Sequence, residues 1–266
     1  MQSVRAKKHL GQHFLHDRNI ARRIVDALRI SETTEYVLEI GPGTGILTGY
    51  LLQKPEIVLR AVELDKESVA YLREHYPSLN LSEGDFLSMN LSGLFPGRFS
   101  IIGNFPYNIS SPIFFTVLHH RHQVKQVVGM VQREVGERIA AGSGSKTYGL
   151  LSVLLQTFYQ VELLFRVAPG AFIPPPKVQS VVVRLTRNER ITLPCDENLF
   201  FTLVKQAFHT RRKTLRNALK SLTLPACEND STWHQFSNLR AEQLSVDDFI
   251  ALTTLIERCR AADRTV

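Results

Sequence analysis

The sequence has few cysteines, no long apolar run and no excess of acidic residues, and each of these features excludes a class of protein. Its 266 residues include three cysteines, Cys195, Cys227 and Cys259, which lie far apart. Widely spaced thiols in odd number support neither a disulfide framework nor a zinc site. No apolar stretch approaches the roughly 18 residues of a membrane-spanning helix, and the N-terminus lacks the apolar segment of a signal peptide. We therefore expect a cytoplasmic protein that binds no metal ion and no membrane.

The charge balance is moderately basic. The chain has 32 Lys and Arg against 25 Asp and Glu, a formal net charge of +7, which favours a polyanion as its large partner. Its content of 44% hydrophobic and 21% charged residues is ordinary for a globular protein. This length can hold one substantial sheet domain and a small second domain. No pattern indicates a dimer interface, so we expect a monomer.

Short apolar runs alternate with amphipathic stretches through the first two-thirds of the chain. The predicted strands are residues 36–40, 57–63, 79–82, 100–103 and 126–132, and the predicted helices between them are residues 19–28, 46–53, 66–75 and 112–119. This alternation is typical of a mostly parallel sheet covered by helices. After a further helix, residues 149–158, two apolar runs at 161–167 and 178–185 predict a hairpin that closes the sheet with an antiparallel edge strand.

Strand patterns stop after this hairpin, and helical spacing follows. We therefore predict an α/β domain of residues 1–187 and a small C-terminal helical domain of residues 188–266.

A glycine-rich turn, Gly41-Pro42-Gly43-Thr44-Gly45, directly follows the first predicted strand. Open parallel sheets bind ligands at this end of their strands, and glycines let a ligand approach the backbone closely. The turn does not fit a dinucleotide fingerprint, because Ile46 replaces the last small residue and Pro42 has no N–H to donate. It also lacks the Lys-Ser/Thr ending of a nucleoside triphosphate loop.

Acidic residues end the next two predicted strands. Glu63 lies 22 residues after Gly41, where a carboxylate can accept hydrogen bonds from both hydroxyls of a ribose. Asp85 follows the third strand, where it could accept a hydrogen bond from the amine of an adenine. For either residue alone, a solvated acid at a strand end without a ligand is the alternative. The order of both acids after the glycine turn favours a nucleoside-containing cofactor.

The most specific motif is Asn104-Phe105-Pro106-Tyr107, at the end of the fourth predicted strand. The amine of adenine is a poor nucleophile because its lone pair is delocalised into the ring. The side-chain oxygen of Asn104 and a backbone carbonyl beside Pro106, that of Phe105, can each accept one amine hydrogen and so direct the lone pair at a methyl donor. Tyr107 can stack on a base that has left its own stack.

A basic cluster follows the predicted helix that contains Leu199, Leu203 and Ala207. Arg212, Arg216 and Lys220 recur every four residues, a spacing that predicts a stripe along one helix face suited to a phosphate backbone. With their neighbours they form the predicted RNA-binding set: Arg211, Arg212, Lys213, Arg216 and Lys220. A solvated helix face without a ligand is the alternative.

Together these motifs resemble those of the ribosomal RNA adenine dimethyltransferase family. The resemblance extends to three further segments: Gly11-Gln12-His13-Phe14-Leu15, Phe172-Ile173-Pro174-Pro175-Pro176-Lys177-Val178 and Arg211-Arg212-Lys213-Thr214-Leu215-Arg216-Asn217. It implies a Rossmann-like sheet and S-adenosylmethionine as cofactor. It also implies that Phe172 faces Tyr107 across a flipped adenine. The cofactor contacts that it implies are His13, Leu15, Gly41, Glu63, Asp85 and Asn104.

Two positions depart from the usual motifs of this family. Its opening motif has asparagine where this chain has His13, and leucine usually precedes the motif proline where this chain has Phe105. The change to Phe105 is tolerable, because the acceptor contributed by Phe105 is its backbone carbonyl.

The resemblance further implies dimethylation of two adjacent adenosines in the 3′-terminal hairpin loop of 16S ribosomal RNA, within the small subunit or its precursor, as a step in ribosome biogenesis. One alternative is the 23S ribosomal RNA methyltransferase type that confers macrolide resistance, but the Pro-Pro-Pro-Lys-Val and Arg-Arg-Lys-Thr-Leu-Arg segments favour the small-subunit type. A DNA adenine methyltransferase is a weaker alternative. A mainly non-catalytic assembly factor is a third.

Overall fold

The computed structural model describes residues 4–30, 34–222, 227 and 229–263. The chain divides into two compact units, one containing Met1–Gly136 with Tyr159–Arg187 and the other Glu137–Phe158 with Asn188–Val266. The division into domains 1–187 and 188–266 stays a prediction. The two compact units differ from it by grouping Glu137–Phe158 with the C-terminal helices.

Strands and helices are interspersed as far as residue 187, after which the described elements are helices. The strands are β1 (Phe14–Leu15), β2 (Glu35–Ile40), β3 (Ile57–Glu63), β4 (Asn80–Glu83), β5 (Phe99–Asn104), β6 (Val124–Gln132), β7 (Tyr159–Val167), β8 (Phe172–Ile173) and β9 (Ser180–Arg187). The helices are α1 (Arg18–Asp26), α2 (Ile46–Leu51), α3 (Lys66–His75), α4 (Ser110–His119), α5 (Arg133–Ala140), α6 (Leu150–Phe158), α7 (Glu197–His209), α8 (Leu215–Ala218), α9 (Ser231–Phe236) and α10 (Val246–Asp263).

The first unit is built on a seven-stranded sheet of the described residues in the order β4-β3-β2-β5-β6-β9-β7. The first five strands in this order pair in parallel, and β9 is antiparallel to both β6 and β7. The predicted mostly parallel sheet with an antiparallel hairpin at one edge is thus confirmed, and the reversed strand lies one position inside that edge. The neighbours β2 and β5 lie where the strand order reverses, which is where such sheets bind ligands.

Local sequence explains where the helices around the sheet begin. The carboxylate of Asp17 accepts hydrogen bonds from the N–H groups of Asn19 and Ile20, and that of Asp65 accepts one from Ser68, so these acids cap α1 and α3. The central strands are mostly apolar and almost wholly buried, as expected for parallel strands covered by helices. Packing of this kind holds the carboxyl ends of β2, β3, β4 and β5 at one edge of the sheet.

A small second sheet was not predicted. In it β1 pairs antiparallel with β8, so that Phe14 lies opposite Ile173 and Leu15 opposite Phe172. The pairing joins an N-terminal segment to a segment almost 160 residues later in the chain. We call residues 7–16 the N-terminal strap.

The helical unit contains α7 and α10, whose buried apolar residues include Phe200, Leu203, Phe249 and Leu252. The polypeptide does not continue from α7 as one helix. Thr214 forms an isolated antiparallel bridge with Arg240. The short helix α8 then begins, and the N–H of its first residue donates to the carbonyl of Leu239 at 2.7 Å.

The prediction that Arg212, Arg216 and Lys220 form a stripe along one continuous helix is therefore wrong. The four-residue spacing of these three residues suggests a helix, but the bridge from Thr214 to Arg240 interrupts the helical backbone between α7 and α8. All three side chains are nevertheless exposed. No helix in the described parts of the chain is both long enough and apolar enough to cross a membrane.

Candidate active site

The glycine turn after β2 adopts a backbone conformation that favours glycine. Gly41, Gly43 and Gly45 all have positive φ, at 63°, 58° and 80°. A Cβ on Gly43 would lie 2.9 Å from the ring of Phe14 in the N-terminal strap, so a side chain there cannot be accommodated. A Cβ on Gly41 would meet no atom within 4 Å, and the turn is thus open where a ligand can approach the backbone.

Glu63, the last residue of β3, lies beneath this turn. Its Oε2 accepts a hydrogen bond from the Gly43 N–H at 3.0 Å, and its Oε1 accepts one from the Asp65 N–H at 2.9 Å. The residue is only 5% exposed, and burial raises the pKa of its carboxyl. Each oxygen keeps a second lone pair, so the carboxylate can accept hydrogen bonds from two ribose hydroxyls while it holds the turn.

Two neighbouring cavities meet around Gly41 and Glu63. The first, of about 50 Å³, is lined by Gly11, Gln12, His13, Phe14, Gly41, Gly43, Glu63, Asn104, Phe105, Pro106 and Tyr107. The second, of about 120 Å³, is lined by Leu10, Gln12, Ile40, Gly41, Val62, Glu63, Leu64, Gly84, Asp85, Phe86, Leu87, Pro106, Asn108 and Ile109. The two cavities share Gln12, Gly41, Glu63 and Pro106.

The second cavity suits an adenine ring. Most of its lining residues are apolar, and Leu64 is 50% exposed immediately after Glu63. Asp85 is exposed and receives one hydrogen bond at Oδ1 from the Leu87 N–H, at 2.9 Å. An apolar cavity with an exposed acid in its lining matches a base that carries a single exocyclic amine.

Asn104 is the last residue of β5 and lies in the first cavity. Its Nδ2 donates to the backbone carbonyl of His13 at 2.8 Å. A carbonyl can only accept, so this contact fixes the orientation of the amide and leaves Oδ1 as the free acceptor. Oδ1 of Asn104 can therefore act as the predicted acceptor for one hydrogen of an adenine amine.

Phe105 is held in place by two glycines. Its ring is buried, and a Cβ on Gly129 of β6 would lie 2.3 Å from that ring, while one on Gly103 would lie 3.0 Å from it. Its N–H donates to the Met130 carbonyl at 3.0 Å, which extends the pairing of β5 with β6. This packing fixes the position of the Phe105 carbonyl, which is the second predicted acceptor.

Replacing Gly129 by Ala is expected to displace Phe105. Overpacking of this kind destabilises a fold by about 1–3 kcal/mol, and a shift of the Phe105 carbonyl is expected to lower kcat by about tenfold or more. Thermal unfolding and methyl transfer would be measured together. Gly142→Ala is the control, because a Cβ there meets no atom within 4 Å. Equal kcat in Gly129→Ala and the wild type would contradict this role for the Phe105 packing.

Tyr107 is half-buried and fixed by neighbours on two sides. Its hydroxyl lies 2.5 Å from Ser180 Oγ, and its ring centroid lies 5.3 Å from that of His13. Burial raises the pKa of the Tyr107 phenol, and the hydrogen bond between the Tyr107 and Ser180 hydroxyls opposes that rise. Within the described chain, the aromatic pair recorded for Tyr107 is with His13.

Phe172 and Leu15 do not lie with the other predicted residues. They are 2% and 3% exposed, pack in the hydrophobic core and, within the described chain, line neither cavity. Leu15 and Phe172 lie opposite each other in the pairing of β1 with β8. The stacking role of Phe172 and the cofactor contact of Leu15 stay predictions. Sequence reasoning also missed Gln12 and Phe14, which adjoin the predicted His13 and line the first cavity.

Glu39, two residues before the glycine turn, is a buried acid that sequence reasoning did not single out. Its pKa is raised from the ordinary 4.5 to about 8, chiefly because the carboxyl is buried; the hydrogen bond from Thr48 Oγ at 2.7 Å opposes the rise and the charge of Glu63 adds to it. Its Oε1 has no hydrogen-bond partner among the described residues. The carboxyl is thus protonated in the folded protein near neutral pH.

This raised pKa predicts how stability depends on pH. An acid whose folded-state pKa is raised contributes stability at low pH and loses it as pH rises from its unfolded to its folded pKa, here from 4.5 to about 8. Relative to Glu39→Gln, the wild type is expected to lose up to about 5 kcal/mol of unfolding free energy across that window. Urea unfolding at pH 5, 6.5 and 8 measures this. The exposed Glu74→Gln is the control, and parallel curves for Glu39→Gln and the wild type would contradict the assignment.

The predicted RNA-binding residues of the helical unit differ in their surroundings. Arg211 Nε pairs with Glu242 at 2.8 Å, and its guanidinium also donates to the Lys146 carbonyl. Within this unit, Arg211 thus links the segment that contains Lys146 to the segment that contains Glu242. The other predicted residues, Arg212, Lys213, Arg216 and Lys220, are exposed.

Comparison with known proteins agrees with this geometry. The sequence profile of the family described as "Ribosomal RNA adenine dimethylase" matches residues 3–258. A protein of Cytophaga hutchinsonii named "Ribosomal RNA small subunit methyltransferase A" is 53% identical over 258 residues, which cover 96% of this chain and 99% of that protein.

Two solved structures are also similar. A dimethyladenosine transferase from Plasmodium falciparum aligns with a TM-score of 0.77 at 28% identity, covering 90% of this chain and 96% of that one. The 23S rRNA methyltransferase ErmE aligns with a TM-score of 0.68 at 22% identity, covering 91% and 99%, and it supports the fold alone. By the profile match over nearly its whole length and by the high identity to a curated relative, the chain belongs to the ribosomal RNA adenine dimethylase family.

Proposed function

We propose that the protein dimethylates the N6 amines of two adjacent adenosines in the 3′-terminal hairpin loop of 16S ribosomal RNA, with S-adenosylmethionine as cofactor. One observation carries the proposal: Glu63 and the Asn104–Tyr107 motif line a single cavity. Glu63 is suited to the ribose of the methyl donor, and the Asn104–Tyr107 motif is suited to the adenine amine that accepts the methyl group. Both line the same cavity, so donor and acceptor can meet there.

The residues around the two cavities fit the cofactor. Glu63 has free lone pairs for ribose hydroxyls, the apolar cavity lined by Asp85 accepts an adenine, and the open backbone at Gly41 admits close approach. S-adenosylmethionine supplies an electrophilic methyl group on a positively charged sulfur. The protein needs no base of its own to activate this donor, so positioning and hydrogen bonding carry the catalysis.

Asn104 and Phe105 act on the target amine. With its Nδ2 bonded to the His13 carbonyl, Asn104 presents Oδ1 as an acceptor for one amine hydrogen, and the Phe105 carbonyl accepts the other. These two hydrogen bonds draw the nitrogen lone pair out of conjugation and aim it at the methyl group. The amine proton is released after transfer, when the nitrogen carries the positive charge.

The RNA substrate is assigned by relatives and by charge. The relative from Cytophaga hutchinsonii is named for the small ribosomal subunit, whereas the 23S methyltransferase ErmE is much less similar to this chain. This favours the small-subunit substrate over the macrolide-resistance type. The net charge of +7 suits an RNA partner, and we expect a monomeric, cytoplasmic enzyme that acts on the small subunit or its precursor.

Labelled methyl transfer to purified ribosomal subunits tests the substrate. The protein would be incubated with labelled S-adenosylmethionine and with small or large subunits from a strain lacking this modification. Label in 16S RNA alone is expected. Label in 23S RNA would contradict the proposal and favour the macrolide-resistance type of methyltransferase. Subunit binding without label in either RNA would support a non-catalytic assembly factor.

Salt dependence of RNA binding tests the basic residues. If Arg212 and Lys213 contact phosphates, Ala at either position is expected to lower the slope of log affinity against log salt by about 0.7–0.9. Arg211→Ala is the matched comparison, because the Arg211 charge is already paired with Glu242. We expect Arg211→Ala to lower thermal stability and leave the slope unchanged. Unchanged slopes in all three variants would contradict a phosphate-binding role.

A further inference from the structure

Tyr76 contacts the glycine turn at Gly45, where the turn leads into helix α2. Its hydroxyl donates a hydrogen bond to the Gly45 carbonyl at 3.1 Å. Burial raises the pKa of the Tyr76 phenol, so the hydroxyl keeps the hydrogen that it donates. The same carbonyl accepts the N–H of Gly49 at 2.9 Å, and both of its lone pairs are thus used where the turn ends.

The ring of Tyr76 occupies the space beside two glycines. A Cβ on Gly45 would collide with this ring, and a Cβ on Gly49 would lie 3.3 Å from the hydroxyl oxygen. Glycine within a helix is normally unfavourable relative to alanine. The packing of Tyr76 gives a physical reason for a glycine at position 49 of α2.

Helix α3 connects Tyr76 to Glu63. Glu63 precedes this helix and accepts the N–H of Gly43 at 3.0 Å. Tyr76 directly follows the helix, and its backbone is fixed because its N–H donates to the Leu72 carbonyl at 2.8 Å. The glycine turn is therefore held from both ends of one helix, at Gly43 by the acid before it and at Gly45 by the tyrosine after it.

We propose that Tyr76 is a positioning residue of the cofactor site, and that its hydroxyl holds the Gly45 end of the glycine turn in the conformation that admits S-adenosylmethionine. Within the part of the chain that the structure describes, Tyr76 lines neither cavity of the site, so it acts on the cofactor through the turn. This inference rests on the cofactor of the proposed function and is independent of which RNA is methylated.

Calorimetric titration of Tyr76→Phe with S-adenosylmethionine tests the proposal on the full-length protein. Loss of one neutral hydrogen bond changes an equilibrium constant by about 2- to 10-fold, so the cofactor Kd should rise by that factor. The KM for small subunits should not change. Tyr71→Phe is the matched control, because Tyr71 lines the cavity behind the turn with Tyr76 but its ring stacks on His75, 3.9 Å away. A cofactor Kd in Tyr76→Phe equal to that of the wild type would overturn the proposal.

Gly49→Ala perturbs the same contact from the side of α2. Its methyl group would lie 3.3 Å from the Tyr76 oxygen and push it from the Gly45 carbonyl, so the cofactor Kd should rise by about 2- to 10-fold. In Tyr76→Phe the oxygen is gone and the nearest ring atom is 3.7 Å away, an ordinary contact. Gly49→Ala should then raise the Kd no further. Equal effects of Gly49→Ala in both backgrounds would overturn the proposal.

Amide hydrogen exchange in the absence of cofactor gives a readout that needs neither binding nor activity. Residues 41–49 should exchange faster in Tyr76→Phe than in the wild type or Tyr71→Phe, while β5 and β6 should be unchanged. Equal exchange of the turn in all three proteins, or faster exchange throughout the sheet, would overturn the proposal. If the wild type binds the cofactor but methylates no RNA, while exchange and cofactor Kd differ as expected, the proposed function fails and the role of Tyr76 stands.

Discussion

Replacement of Asn104 by Ala is expected to lower kcat by about 100- to 1,000-fold while RNA and cofactor still bind. The loss corresponds to removing one preorganised hydrogen-bonding group from a transition state. Asn104 is hard to replace, because its Nδ2 donates to the His13 carbonyl and its Oδ1 is the side-chain atom left to accept a hydrogen bond from the substrate. Single-turnover methylation, with binding measured separately, isolates the chemical step.

Asn104→Asp is the matched control for this prediction. It keeps a side-chain oxygen toward the substrate but turns a second oxygen toward the His13 carbonyl, where a donor is required. We therefore expect Asn104→Asp to be nearly as inactive as Asn104→Ala. Substantial activity in either variant would show that the amine acceptor lies elsewhere in the cavity.

The second large effect is expected at Glu63. Replacing it by Ala removes the acceptors for two ribose hydroxyls and the support for Gly43 and Asp65. Hydrogen bonds to charged groups contribute about 1.5–3 kcal/mol each, so the cofactor Kd should rise by about 100-fold or more. Titration calorimetry with S-adenosylmethionine measures this directly.

RNA binding by Glu63→Ala should be unchanged, because the predicted phosphate contacts lie in the helical unit. Binding of small subunits to the variant is therefore the internal control, and it also reports on folding. A cofactor Kd equal to that of the wild type would contradict the placement of the ribose at Glu63.

The motifs at strand ends could be predicted because each is a short run of residues that directly follows or ends a predicted strand. The glycine turn, Glu63 and Asn104 each follow an apolar run, and the carboxyl ends of parallel strands meet at one edge of a sheet. Predicted bounds for β3 and α3 agree with the structure residue for residue. These three parts of the site could thus be placed at one sheet edge from the sequence alone, whereas Phe172 and Leu15 line neither cavity.

Contacts between distant segments were not predictable in this way. Nothing in the sequence near His13 signals a hydrogen bond to Pro174, and two-residue strands such as β1 and β8 are too short to show a pattern. The break after α7 has the same cause, because it depends on a bridge from Thr214 to Arg240. Helical periodicity reports the local preference of a segment and does not include such pairings.

Mapping of methylated nucleotides by mass spectrometry tests the central claim most directly. Small subunits that lack the modification would be treated with the protein and S-adenosylmethionine, and their 16S RNA digested and sequenced. The proposed site predicts two adjacent N6-dimethyladenosines in the 3′-terminal hairpin loop, with four methyl groups added per RNA. Methyl groups on another base, on a ribose or on a ring nitrogen of adenine would contradict the account of the Asn104 site.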